Sequence, residues 1–198
     1  MSYTIIIIAI TAIISIAAFS NETLLNKLIL WPKVMNNPAE YYRFLSSGFI
    51  HADWNHLLFN MFTLYSFGTS LELLGFGDKF VILYLTGIAI SSIPAYIKNR
   101  NNSYYRALGA SGGVSAILFF SIYFSPWSRI GLLFIPVGIP CIIFAVLYLV
   151  YCIYMSKRGN DNIGHDAHLL GAVYGFLFAL IVDPSHGVYF LNTIMHPR

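Results

Sequence analysis

Charge is what this chain lacks. Asp, Glu, Lys and Arg together make up 10% of its 198 residues, where an ordinary soluble domain carries about 25%. So few charges cannot coat a water-facing surface. The basic residues are scattered, with no cluster of the kind that grips phosphates, so nucleic acid is not an expected partner. Cysteine is scarce too. Cys141 and Cys152 lie eleven positions apart in one apolar run, about 16 Å apart on a helix and beyond disulfide reach. They read as small apolar packers. The apolar stretch 4–18 has no basic segment before it and no small-residue cleavage site after it, so it reads as a span rather than a signal peptide. There is no HExxH pair, no internal repeat and no low-complexity tract.

What remains is hydrocarbon. Apolar residues make up 58% and aromatics 17%, and the mean hydropathy is +0.70. Aromatics flank many apolar runs, as they do at a membrane interface. A membrane helix needs about 20 mostly apolar residues. Six segments meet or approach that, at 3–19, 54–74, 80–97, 111–127, 141–155 and 167–182. The fifth lies within the apolar stretch 130–155, where Pro136, Gly138 and Pro140 break the start and put the helix proper near Cys141. Asp183 and Pro184 close the sixth. The expectation is an all-α membrane protein, one domain over 1–198, with six transmembrane helices. The long connector 20–53 mixes aromatic, apolar and charged residues, which suits a segment lying in the interface plane. With six spans, the side opposite the termini holds eight Lys and Arg, and the terminal side holds Lys79, Arg129 and Arg198. The positive-inside rule places the eight in the cytoplasm.

Polar groups inside hydrocarbon are costly and mark functional candidates. His56 and Asn60 stand i, i+4 on one helix face and can both donate to one point. They can equally glue two helices. His51 sits at the mouth of the same span, in an interfacial or loop-anchoring position. Glu72 lies near the span's far end. Ser111 opens the fourth span in the run Gly109-Ala110-Ser111-Gly112-Gly113, with Ser115 one turn on. His168, Gly171 and Gly175 share a face of the sixth span. Gly171 and Gly175 form a G-x-x-x-G pair that lets a helix approach closely. If that face meets the Ser111/Ser115 face, Ser111 and His168 come side by side near one membrane surface. A serine hydroxyl becomes a nucleophile when a base takes its proton, and histidine can be that base. Free N–H groups at a helix start can receive an oxyanion. Asp166, two before His168, points to another face and is not expected to complete a triad.

These residues resemble the rhomboid family of intramembrane serine proteases. His56-Leu57-Leu58-Phe59-Asn60 matches HxxxN. Gly109-Ala110-Ser111-Gly112 matches GxSG. Ala167-His168-Leu169-Leu170-Gly171 matches AHxxG. The motifs fall in order on the second, fourth and sixth spans, and the resemblance covers 42–182. It implies a compact six-span rhomboid bundle of bacterial type, with Ser111 as nucleophile and His168 as general base. It implies an oxyanion hole of His56, Asn60 and the Ser111 amide, and backbone contact with the substrate strand at Gly109. Glu72 resembles a structural carboxylate tie, and Tyr42-Arg43 resembles the family's Trp-Arg pair. It further implies no cofactor or metal and single-span membrane proteins as substrates, with small residues at the cut and helix-weakening residues nearby. Spans two and five would form the lateral gate, with Pro136 and Pro140 making the entry to span five irregular. The implied address is a bacterial cell membrane with cytoplasmic termini, opposite to the cation count.

Where many relatives carry an aromatic residue packed on the histidine, this chain has Ser115. The expectation is that Ser115 bonds His168 directly and that Ser115→Tyr is tolerated. Two other readings stay open. One is a non-catalytic binder of membrane helices, although such relatives typically lack the serine or the histidine. The other is a metal-dependent enzyme or transporter using His51, His56, His165 and His168.

Overall fold

The computed structural model describes residues 2–132, 135–158 and 163–196. Arg198, counted above among the cations, lies outside them. The first helix, α1 (Tyr3–Phe19), starts at Ser2, whose side chain accepts from the Ile5 amide. It is inside-out by the standard of a soluble protein. Its buried stripe is Thr4, Ile7, Thr11, Ser15 and Ala18, whereas Ile5, Ile10, Ile13 and Ile16 are exposed. Water would not tolerate that face, and lipid does.

The connector 20–53 folds as short pieces. They are α2 (Glu22–Leu28), 3-10 turns at Val34–Asn36 and Pro38–Glu40, α3 (Arg43–Ser46) and a last 3-10 turn at Ser47–Phe49. Buried Arg43 ties them by donating from Nη1 to the carbonyls of Asn26 (2.7 Å) and Ile29 (2.8 Å). Tyr42 Oη donates to Lys27 O at 2.8 Å. Both members of the Tyr42-Arg43 pair therefore hold the end of α2.

Asp53 caps α4 (Trp54–Leu73), accepting from the His56 amide. The hydroxyls on this helix donate to carbonyls one turn back, as Thr63 does to Phe59, Ser66 to Phe62 and Thr69 to Tyr65. That satisfies them without water. The expected third span is two helices, α5 (Gly77–Ser91) and α6 (Ile93–Asn99), interrupted at Ser92 just before Pro94.

Next comes α7 (Ser111–Phe124), buried along nearly its whole length. The expectation of an all-helical chain fails after it. An antiparallel hairpin, β1 (Arg129–Leu132) and β2 (Ile135–Pro140), fills the stretch that Pro136, Gly138 and Pro140 deny to a helix. The following helix, α8 (Cys141–Arg158), starts where those breakers end. Then come α9 (His165–Val182) and α10 (His186–Met195). Sequence reading did not foresee α10. It packs Phe190 on Tyr123 and receives Trp127 Nε1 on the Thr193 carbonyl at 2.8 Å.

The core is α7, gripped by α5 and α9. On one side, a Cβ on Gly87 would come 3.0 Å from Ala116 Cβ. On the other, a Cβ on Gly171 would sit 2.2 Å from Gly112 O, and one on Gly175 2.0 Å from Ala116 O. Only glycine fits there. The stretches 77–99, 141–158 and 165–182 are long and apolar enough to cross a membrane, and α1 and α7 are shorter apolar helices. The chain is a mostly helical membrane protein.

Candidate active site

The close contact between α7 and α9 sets the site. The carbonyls that receive α9 belong to Gly112 and Ala116, one residue beyond the Ser111/Ser115 face expected from sequence. That rotation leaves Ser111 beside the contact rather than inside it. His168 stands one turn into α9, and its Nε2 lies 2.7 Å from Ser111 Oγ. Both side chains are half-buried. The distance is that of a hydrogen bond able to pass a proton. Ser91 Oγ from α5 lies where a Gly112 Cβ would be, 1.9 Å from that position, so no larger residue fits next to Ser111.

Gly109 has φ +112°, a conformation that side chains rarely adopt. A Cβ there would also meet His56 Nε2 at 2.7 Å. The chain thus bends over the His56 imidazole two residues before Ser111. Asn60 is buried and donates to the His56 carbonyl at 2.9 Å. One carboxamide hydrogen makes that bond and leaves the other for a second acceptor.

Ser115 does not take the role expected of it. Its hydroxyl is paired with Tyr148 Oη of α8 at 2.6 Å. The Tyr148 ring lies nearly parallel to the His168 ring, at 6.2 Å and 24°. The aromatic partner of the histidine therefore comes from α8, and Ser115 positions it. A tyrosine at 115 would have to displace one already present, which argues against the expected tolerance of Ser115→Tyr. Tyr148 escaped sequence reading. The one signal for it was the missing aromatic at 115.

His51 is deeper than its loop position suggests, at 1% exposure. Ser15 donates to the Phe49 carbonyl at 3.0 Å, and His51 Nδ1 lies 2.9 Å from the same hydroxyl. The Ala110 amide donates to His51 Nε2 at 3.4 Å. This network assigns Nδ1–H and a bare Nε2. His51 so links α1 to the residue before Ser111. Burial, with the neighbouring His56 adding to it, lowers its pKa from 6.5 to about 3, so it is neutral at ordinary pH.

Glu72 lies at the opposite end of α4. It accepts from Ser2 Oγ, the Tyr3 amide and Thr4 Oγ1, tying the start of α1 to the end of α4. Asp166 pairs with Lys98 of α6. His51, His56, His165 and His168 do not form one cluster. Among the described residues, the group able to share an ion is Cys152, His165 and His168.

The Rhomboid domain family model matches residues 38–185. Among similar curated proteins, RHOMBOID-like protein 12, mitochondrial, of Arabidopsis thaliana is 34% identical over 65% of this chain and 42% of that protein. Presenilin-associated rhomboid-like protein, mitochondrial, of Rattus norvegicus is 30% identical over 68% of this chain and 36% of its own length. Rhomboid-related protein 1 of Caenorhabditis elegans is 29% identical over 82% and 45%. The matched stretch spans under half the length of each of these relatives.

Proposed function

From the chain's membership of the rhomboid family, we propose that it is an intramembrane serine endopeptidase using a Ser111–His168 dyad. The observation that carries the reading is the 2.7 Å contact between His168 Nε2 and Ser111 Oγ at the start of α7. In this reading Ser111 attacks the substrate carbonyl while Nε2 takes the hydroxyl proton, so Nδ1 carries the ring's own hydrogen. The oxyanion is received by the Ser111 amide at the helix start, by His56 and by the remaining Asn60 hydrogen. His168 then returns its proton to the departing amine, and water repeats the sequence on the acyl-enzyme. Gly109 and Gly112 keep the approach bare, Gly171 and Gly175 fix the distance, and Ser115 and Glu72 act structurally.

The substrates proposed are single-span membrane proteins, and no cofactor is required. The six crossings are α1, α4, α5 with α6, α7, α8 and α9, forming one domain over the chain. A cavity of about 490 Å³ between α4, α7 and α8, lined by Phe59, Phe62, Leu118, Cys141 and Phe144, supports lateral entry between α4 and α8. The proposed address is a bacterial cell membrane with cytoplasmic termini. Reporter fusions at each loop test that orientation against the cation count.

The central test is cleavage of a single-span substrate in liposomes by the wild type, Ser111→Ala and His168→Ala, with and without chelator. The reading requires both substitutions to abolish cleavage and chelator not to. Binding of substrate without cleavage by the wild type would favour the helix-binding reading. Cleavage that needs a metal would reassign the histidines as ligands.

A further inference from the structure

His168 has a second set of neighbours that the dyad does not use. Cys152 sits in the later turns of α8, and His165 is the first residue of α9. Cys152 Sγ and one ring nitrogen each of His165 and His168 all lie within 4.8 Å of one another. Cys152 is fully buried, and His165 is 3% exposed. The i, i+3 spacing puts both imidazoles on one face of α9, turned toward α8. The His165 and His168 rings stand 6.1 Å apart and nearly perpendicular, so their nitrogens can converge without stacking. One thiol and two imidazoles are the donors that zinc and its borderline-soft neighbours prefer over calcium or magnesium. A tetrahedral zinc holds such atoms about 3.5 Å apart. Closing the cluster therefore brings the donor atoms together by about an ångström, a shift on the scale of side-chain rotation. Access is short, since His165 follows the exposed residues Ile163 and Gly164.

We propose that Cys152, His165 and His168 form an inhibitory site for zinc or a similar borderline-soft divalent cation, which binds by taking His168 away from Ser111. A neutral imidazole has one basic lone pair. If the cation takes Nε2, it replaces the contact with Ser111. If it takes Nδ1, the ring hydrogen must move to Nε2, which can then no longer accept a proton. Either way the base is consumed. On binding, the Cys152 thiol releases its proton to solvent and the sulfur–metal bond forms, with no change in oxidation state. Occupancy therefore rises with pH. Inhibition rests on the dyad reading above, but binding does not.

Two readouts separate the two. Cobalt(II), added to the purified protein in detergent, should give a thiolate-to-metal charge-transfer band that Cys152→Ser lacks and zinc displaces. Zinc should suppress cleavage by the wild type, and chelator should restore it. Relative to each variant's own zinc-free rate, Cys152→Ser and His165→Ala should need at least about tenfold more zinc for the same loss. No cobalt band, or a band that survives in Cys152→Ser, overturns the site. Inhibition that is equal in all three proteins, or zinc that raises the rate, overturns it as well. A wild type with the band but no peptidase activity would fail the preceding reading and keep the metal site.

Discussion

Helix α9 meets α7 with glycine directly against backbone at Gly171 and Gly175, whereas α8 and α4 flank a cavity of about 490 Å³. The first contact is glycine against carbonyl, set by backbone that cannot adjust. The second is lined by long side chains that can. The contrast divides the work of the proposed enzyme. The side that holds Ser111 and His168 at 2.7 Å is close-packed and in that sense rigid, and the side through which a substrate would enter is open and in that sense loose. Substitutions should follow that division.

The largest effect belongs at Gly175, whose Cβ would lie 2.0 Å from the Ala116 carbonyl oxygen. No rotamer relieves a clash with backbone, so Gly175→Val must push α9 away from α7. Overpacking typically costs about 1–3 kcal/mol, and a backbone clash belongs at or above the top of that range. Thermal unfolding in detergent should shift sharply downward, with cleavage lost. An unshifted unfolding temperature would show that the α7–α9 contact is not the rigid half of the molecule.

Next comes the hinge between the two halves, where α8 reaches the dyad through Tyr148. Ser115→Tyr should be inactive, because the space over His168 is filled by the Tyr148 ring. Tyr148→Phe keeps the ring and removes one buried hydrogen bond, a loss of about 1 kcal/mol. It should lower kcat a few-fold with KM little changed. Tyr148→Ala should lower kcat further. If Tyr148→Phe and Tyr148→Ala have equal effects, the ring does not position His168.

These residues also show how far the sequence could be read. The meeting of Ser111 and His168 was legible because serine among glycines and histidine above G-x-x-x-G break an apolar pattern. The start of α8 was legible because Pro136, Gly138 and Pro140 forbid a helix before it. Tyr148 was not, since one tyrosine among 14 carries no mark of the ring it will face. The hairpin was not, although its pairing is local, because Pro136 and Pro140 lie within β2 and proline reads against a strand. The helix α10 was legible in principle, from Phe190 and Ile194 at i, i+4, but its short length hid it beside six longer runs. The depth of His51 depended on Ser15 and Ala110, which are distant in the chain.

His51 should make the rigid half sensitive to acid. Its pKa is lowered in the folded protein, from 6.5 to about 3. Above pH 6.5 the ring is neutral folded or unfolded, and the full stability is present. As pH falls from 6.5 toward 3, the unfolded chain takes up a proton that the folded chain resists, so stability is lost. Protonation would also end the bond that Nε2 accepts from the Ala110 amide. Unfolding temperatures measured from pH 7 to pH 4 should fall for the wild type and fall less steeply for His51→Gln. Parallel curves would assign the acid sensitivity elsewhere.

The smallest change in stability should come from the loose half. Phe62 lines the cavity on α4 and is 41% exposed. Truncation there enlarges a space already open and removes few contacts. Phe62→Ala should therefore shift unfolding far less than Gly175→Val, by under about 1 kcal/mol, as is usual for positions that lose little packing. Its kinetic effect should fall on substrate entry. If the α4–α8 flank admits the substrate, kcat/KM changes while single-turnover chemistry on bound substrate stays as in the wild type, because Ser111 and His168 are anchored to helices that Phe62 does not hold. A loss confined to the chemical step would join the two halves and remove the division between a fixed dyad and an open flank.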